Sequence, residues 1–471
     1  MTYQPFWFDQ AMAEETTSVS STSIDENPYD IAIIGGGFTG LWTAITIKQR
    51  APNTRIVILE KDLCGQGASG RNGGAMLTWS TKYLSLKKRF GESQAKWLVQ
   101  QSENAVHAIS QFAKEHNIDC DLRVDGCYIS ASNAAQQGVL TPCLNALNAV
   151  SLNQWQVVNK EQLKHTGSGQ NQHAVFSPHA GSVQPAKLVR GLRRIAIEMG
   201  IVLSEFTRYV SHAKENAPQN QTISIFYSNK SQSIKTLKTE KLLFAVNAWL
   251  PRLMPQFSRN VVLVSSDMMI TKPMPERLQT LHLNHGASVI DSRIFVNYYR
   301  TTSDGRLMLG KGGNYFSFAN QMSDKFNAPS QYQDELQHSL NYFFGDHGFE
   351  IERTWTGPSD RSVSGFPFFQ ETDKNVVVAA GYSGNGVVQS YLGGQILASM
   401  LLNTHDEWQK CGLVNQKLER FPIEPFRTLG AYVIRNGIRR KERAEDNNVA
   451  PSKLDNYLAK LSGAAAKADT N

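Results

Sequence analysis

Tyr29 to Gly40 reads YDIAIIGGGFTG, an apolar run that ends abruptly in glycines. Tyr29 to Ile34 is apolar enough for a central parallel strand, and Leu41 to Arg50 continues as a helix up to the turn at Ala51-Pro52-Asn53. Between them Gly35, Gly37 and Gly40 make G-x-G-x-x-G, with Phe38 and Thr39 at the helix start. Without a Cβ at Gly35 and Gly37, backbone N–H groups can approach a pyrophosphate at the positive end of the helix, and Gly40 lets helix and strand pack closely. Arg55 to Leu59 then forms a second strand ending in Glu60, followed by Lys61. That acid lies about 20 residues past the last glycine, where its carboxylate is placed to accept hydrogen bonds from a ribose diol. The glycines alone would also describe a tight turn. Strand, glycines, helix, second strand and terminal acid in order predict a dinucleotide site.

NAD and FAD both remain open at this point. The next stretch, Cys64 to Gly74 (CGQGASGRNGG), packs five glycines into eleven residues together with Ser69, Arg71 and Asn72. It reads either as a flexible loop or as backbone stripped of side chains to lie along the ribityl chain and ring system of an extended FAD. A plain nicotinamide domain has no use for such a loop. Val376 to Ala380 reads as another strand, with Gly381, Gly384 and Gly386 clearing a turn before a helix through Gln389 to Leu401. These glycines either tighten the turn or aim a second helix N-terminus at a ligand. Asp291 to Gly310 has the alternation of antiparallel strands, so a second sheet is expected between pieces of the parallel one.

At 471 residues the chain has room for two or three domains. Its first 28 residues lack a basic start and apolar core, and no run approaches a membrane span, so a soluble cytoplasmic protein without integral membrane association is expected. Ala13 to Asn27 is polar and Ser/Thr-rich and reads as a surface arm. Five cysteines without a two-residue spacing read as free thiols, and no metal site is expected; His116 with Cys120 is the nearest grouping. A formal charge of +7 favours an anionic ligand weakly, but the basic residues are scattered and not interleaved with stacking aromatics, which argues against nucleic acid. Arg435 to Arg443 (RNGIRRKER) reads as a solvated helix face. Oligomeric state is not legible.

GASGRNGG at Gly67 to Gly74, WTGPSD at Trp355 to Asp360 followed by Pro367, and GYSGNGV at Gly381 to Val387 resemble the FAD-dependent amine oxidase family that includes D-amino acid oxidase, glycine oxidase and sarcosine oxidase. They are similar to its gamma-glutamylputrescine oxidoreductase branch, and GGGFTGLWTAI, DLCGQGASGRNGG, LTWSTK and LRVDG resemble the 2-aminoethylphosphonate oxidoreductases within it. The resemblance runs from about Pro5 to about Leu461. It implies an α/β fold: a discontinuous Rossmann-like FAD-binding domain (29–78, 175–260, 355–410), an inserted, mostly antiparallel substrate domain (79–174, 261–354), an N-terminal arm (1–28) and a helical C-terminal segment (411–471). It implies that Gly35, Gly37, Phe38, Thr39, Gly40, Glu60, Lys61, Gly67, Ala68, Ser69, Arg71, Asn72, Gly73 and Gly74 meet FAD. Asn247, Ala248 and Trp249 would reach it from KLLFAVNAW, Gly357 from WTGPSD, and Gly381, Gly384, Asn385, Gly386 and Val387 from the second glycine turn. In GIVLSEFTRYV either Tyr209 or Val210 would touch adenine, with Val210 preferred. Two departures matter. WTGPSDRSVSGFP lacks the cysteine that tethers flavin in sarcosine oxidases, so FAD is expected to be non-covalent, and the lysine that promotes oxygen reaction there falls at Met308.

The resemblance implies oxidation of a small primary or secondary amine to an imine, which water hydrolyses to an aldehyde. The expected substrate is 2-aminoethylphosphonate or its N-methyl form; gamma-glutamylputrescine is the alternative, and oxygen or a partner protein is the electron acceptor. A flavin-bearing subunit without turnover is the reading from another class. In IFVNYYR, Tyr298 and Arg300 would share one face of a strand and offer a phenol and a fork-shaped cation to an anionic substrate end. A salt bridge within the sheet is the other reading of Arg300. Trp79 and Lys82 are further candidates for contacting substrate, against an ordinary surface role.

Overall fold

The computed structural model describes residues 3–15, 21–214, 222–229, 233–345, 348–463 and 468–469. Residues 16–20 of the expected arm, and 464–467 and 470–471 of the tail, lie outside the described residues.

Tyr29–Ile34 is an inner strand of an eight-stranded sheet, covered on both faces as its apolar run requires. Ile56–Leu59 and then Val202–Ser204 continue the sheet in parallel on one side. Ile234–Phe244 and then Val376–Ala380 continue it in parallel on the other. The sheet is therefore assembled from separated pieces of chain. Antiparallel strands complete it: Phe368–Asp373 at one edge, and Arg208–Lys214 and Ile223–Ser228 folding back on Ile234–Phe244. Ile34, Leu59, Phe244 and Ala380 end at the same edge, the one from which α/β sheets present ligands. Helices Phe38–Arg50 and Gly386–Leu402 lie against each other, and a Cβ at Gly394 would come within 2.7 Å of the Cβ of Trp42. Trp42 meets Phe112 and Tyr391 edge to face. A buried ring of this size is worth roughly 3–5 kcal/mol against truncation to alanine.

The second sheet also has eight strands, in the order Ile351–Ser362, Val261–Thr271, Leu307–Lys311, Asn297–Thr301, Ser288–Asp291, Cys127–Ala131, His173–Ser177 and Gln156–Val157. All neighbours are antiparallel except Ser288–Asp291 with Cys127–Ala131. Two expected boundaries fall inside strands. Ile351–Ser362 pairs with Val261–Thr271 as far as Ser362, so Trp355 to Ser362 belong to the second sheet, and His173–Ser177 crosses position 174.

The expected N-terminal arm also needs correction. Phe6–Glu14 is a helix that buries Phe6, Trp7 and Phe8, because three successive aromatics cannot be left in water cheaply. Trp7 packs edge to face on Trp355. The C-terminal helix Phe426–Asp446 is likewise docked. Ile438 is fully buried, Glu442 accepts from Phe295 N–H at 3.1 Å, and Arg439 donates to Asn314 Oδ1 at 2.7 Å. The basic stretch expected as a solvated face is thus partly an interface.

Candidate active site

The loops leaving the parallel strands enclose a cavity of about 720 Å³. Gly35, Gly37, Phe38, Thr39, Glu60, Lys61, Gly67, Ala68, Ser69, Arg71, Asn247 and Trp249 line it. Gly35 holds φ +111, which a side chain would strain, and a Cβ at Gly37 would come within 2.9 Å of Ser69 Oγ. Ser69 Oγ accepts from Phe38 N–H at 2.9 Å, which couples the glycine loop to the start of helix Phe38–Arg50. Glu60 accepts from the N–H groups of Gly36 and Asp62, at 2.8 and 2.9 Å, and burial raises its carboxyl above the ordinary value. The ammonium of Lys61 lies 4.8 Å from the centre of the Trp249 ring. At the far end the wall is Phe206 to Tyr209. Val210 is 45% exposed and lies off the lining. Tyr209 lies on the lining, and alternation along the strand turns the Val210 side chain to the opposite face.

A smaller cavity of about 130 Å³ adjoins the first and shares Phe38, Thr39, Ala68, Ser69, Arg71, Asn247 and Pro358 with it. Asn72, Gly73, Gly74, Tyr298, Gly357, Gly384, Asn385, Gly386 and Val387 line it, with Leu77, Ser266, Ile290, Val296, Asp360, Arg361 and Tyr382. Arg71 secures the glycine loop, donating to the Gln66 and Phe326 carbonyls and to Asn327 Oδ1 at 2.6–2.9 Å. Asn72 holds the loop from inside, through the Ala68 and Ser69 carbonyls and Gly74 N–H. Gly73 leaves room for the Tyr298 ring, which a Cβ there would overlap. Burial pushes the Tyr298 phenol up to about 12, so it is neutral. Opposite, helix Gly386–Leu402 starts at the lining. The N–H of Gly381 donates to Asp360, whose carboxyl burial pushes up to about 7, and Thr39 donates to the Tyr382 hydroxyl at 2.8 Å. Gly381 itself lies behind the lining at φ +85, Gly40 packs helix on strand, and Ala248 is buried beside Leu263 and Phe326.

Arg300 is where the expectation fails. It shares a face with Tyr298, but that face is covered at Arg300 by the glycine loop, by Val183 and by the N-terminal helix. Its guanidinium donates to the carbonyls of Gly73 and Val183, both at 2.7 Å, and of Thr301 at 3.1 Å. It lies 5.0 Å over the Trp7 ring and is 1% exposed. It faces carbonyls, not the cavity, and is no substrate clamp. Trp79 is buried against Phe366, and Lys82 is buried 3.6 Å from Asp469; neither reaches the smaller cavity. The cation that sequence reasoning missed is Arg361, on the cavity wall at the end of strand Ile351–Ser362. Its signal was its place two residues after WTGPS. Met308 is buried with Met268 and Trp355 and comes close behind Gly73. Among the described residues no group of three His, Cys, Asp or Glu side chains is placed to hold a metal, and no helix is long and apolar enough to cross a membrane.

Residues 30–400 match the family model described as FAD dependent oxidoreductase. The chain belongs to this family. Gamma-glutamylputrescine oxidoreductase of Escherichia coli K12 is 24% identical over 431 residues, which span 89% of this chain and 95% of that protein. A probable oxidoreductase, OrdL, of Haemophilus influenzae is 24% identical over 383 residues, spanning 79% and 83%. Among solved structures, glycine oxidase of Geobacillus kaustophilus superposes with a TM-score of 0.68 at 20% identity, covering 83% of this chain and 99% of that one. The cofactor of this FAD-dependent oxidoreductase fits the residues present. The Gly35 to Gly37 cradle has no room for side chains, two helices begin at the cavities, and the buried Oδ1 of Asn247, on the lining of both, has no partner among the described residues.

Proposed function

We propose that this FAD-dependent oxidoreductase oxidises a small primary or secondary amine with an anionic end, and that the smaller cavity is where it does so. The expected substrate is 2-aminoethylphosphonate or its N-methyl form, leaving phosphonoacetaldehyde after hydrolysis of the imine. The observation that carries the reading is the composition of that cavity. One side is the glycine cradle and the start of helix Gly386–Leu402; the other is Leu77, Ile290, Val296 and Tyr298, and Arg361 is on the lining. The similarity to gamma-glutamylputrescine oxidoreductase and to glycine oxidase supports an amine.

In this reading Thr207 to Tyr209 would hold the adenine end of FAD, Glu60 its ribose, Gly35 to Phe38 its pyrophosphate, and Gly73 and Asn385 its ring. Bound FAD supplies a two-electron acceptor for the hydride on the carbon that bears nitrogen. The chain's own work is to position and to dry. Leu77, Ile290 and Val296 exclude water from the reacting carbon. Arg361 takes the anionic end as a fork-shaped donor, and the neutral Tyr298 phenol donates a hydrogen bond beside it. Asp360 holds the glycine turn that carries Asn385.

The test of the substrate reading is a pair of amines of similar size, 2-aminoethylphosphonate and propylamine, offered to wild type and Arg361→Met. A charge-assisted bidentate pair contributes on the order of 1.5–3 kcal/mol, so the variant should lose roughly ten- to hundredfold for the phosphonate and little for propylamine. Equal losses at normal flavin content would remove Arg361 from the substrate site.

A further inference from the structure

A third cavity, of about 30 Å³, shares Leu77, Ile290, Val296 and Asn385 with the proposed amine cavity as a common wall. Its remaining surface includes Ile129, Trp155 and Ala180, with Asp291 and Arg293, and Ala468, a residue from the tail of the chain, lies on the same lining. Ala468 is held there by its neighbour. Asp469 lies 3.6 Å from the Lys82 ammonium, with the two side chains 6% and 9% exposed. Its carboxylate accepts from Ser85 N–H at 2.8 Å and from the Ser85 hydroxyl at 2.5 Å, and its own N–H donates to the Thr81 carbonyl at 2.7 Å. Four ties on one tail residue form a built anchor. A buried carboxylate and ammonium are costly to bring together unless each is satisfied, and here the hydroxyl, the amide and the ammonium all converge on Asp469.

We infer that this cavity is the distal subsite for the alkyl part of the amine, and that the Asp469 anchor makes Ala468 its stopper, so that the tail sets how long a substrate the enzyme accepts. The inference rests on the reading of the adjoining cavity as the amine site. About 30 Å³ is more than the roughly 10–15 Å³ that one water needs, so with Ala468 in place the subsite takes only a short alkyl group. Each further methylene must displace the stopper. Leu77, Ile129, Ile290 and Val296 offer an apolar wall to an alkyl chain, and the two charged residues on the lining, Asp291 and Arg293, are paired with each other at 3.1 Å.

The test is a homologous series of primary amines, from ethylamine to hexylamine, assayed on the holoenzyme for kcat/KM. In wild type each methylene beyond the preferred length should cost roughly tenfold or more. Asp469→Asn and Lys82→Met should flatten that decline by about tenfold per methylene without changing kcat/KM for the shortest amine. Ala468→Leu should shift the cut-off to a shorter chain. Ser85→Ala, which removes one hydroxyl from the anchor, is the mild variant and should flatten the decline as Asp469→Asn does, by a smaller factor. A length profile unchanged in all four flavin-loaded variants would overturn the stopper while leaving the amine reading intact. Absence of turnover in wild type with 2-aminoethylphosphonate as well as with every alkylamine would instead overturn the amine reading and the stopper with it.

Discussion

Replacing Arg300 with alanine separates a structural cation from a substrate clamp. The wild-type guanidinium is held by the Gly73, Val183 and Thr301 carbonyls and stacks on Trp7, and burial pulls it down to about 10, so it is still charged at neutral pH. Truncation strands the Gly73 and Val183 carbonyls at a position 1% exposed, while the Thr301 carbonyl keeps Arg123 as a donor. Hydrogen bonds to charged groups are worth about 1.5–3 kcal/mol each, and the stacked cation adds about 0.5–2 kcal/mol. Relief from burying a charge offsets part of this. The net loss should be about 3–5 kcal/mol. Denaturant midpoints followed by tryptophan fluorescence measure it. Because Gly73 belongs to the loop proposed to hold the cofactor, flavin content should fall as well. Arg300→Lys should recover only a fraction, since a point charge cannot serve three carbonyls. Activity remaining per bound flavin should fall equally for phosphonate and uncharged amines. A variant with wild-type midpoint and flavin content but a selective loss for the phosphonate would refute this reasoning and restore the clamp.

Three further outcomes follow from the site and core. Gly37→Val fills the space beside Ser69 Oγ, so flavin retention through gel filtration should collapse, and Glu60→Ala should weaken it less. Acid precipitation should release all the flavin: the segment Trp355 to Pro367 has no cysteine, and all five thiols are buried; yellow colour left in the pellet would contradict this. Burial pushes the carboxyls of Glu103, Asp360 and Glu442 up to about 7. The folded state therefore keeps protons that the unfolded chain releases, and their stabilising effect is complete below the ordinary carboxyl value and is lost as pH rises through about 7. Glu103→Gln should accordingly gain stability relative to wild type between about pH 5 and about pH 8; a constant difference between the two would refute the assignment.

The cofactor half of the site was legible because its constraints are local. A glycine at a strand end, a helix start and an acid at the next strand end all follow one another in sequence. The second glycine turn was legible for the same reason. The substrate half was not. Tyr298 and Arg300 share a strand face, as period-two geometry dictates, but only the fold reveals that Gly73 and Trp7 cover one and leave the other on the cavity. Trp7 looked like part of an arm because its partners, Arg300 and Trp355, are hundreds of residues away. The ion pair of Lys82 with Asp469 has no local signature at all. Tyr209 and Val210 differ by the one-residue slip that always exchanges the two faces of a strand.

In the proposed reaction a small amine gives up two electrons in the cavity between the two sheets. An anaerobic titration of the purified, flavin-loaded protein with 2-aminoethylphosphonate, its N-methyl form and uncharged amines tests it most directly, with aldehyde measured alongside the visible spectrum. The account predicts that the yellow absorbance bleaches, that one aldehyde forms per flavin, and that Arg361→Met shifts the titration for the phosphonate alone. A flavin that stays oxidised with every amine offered would contradict it.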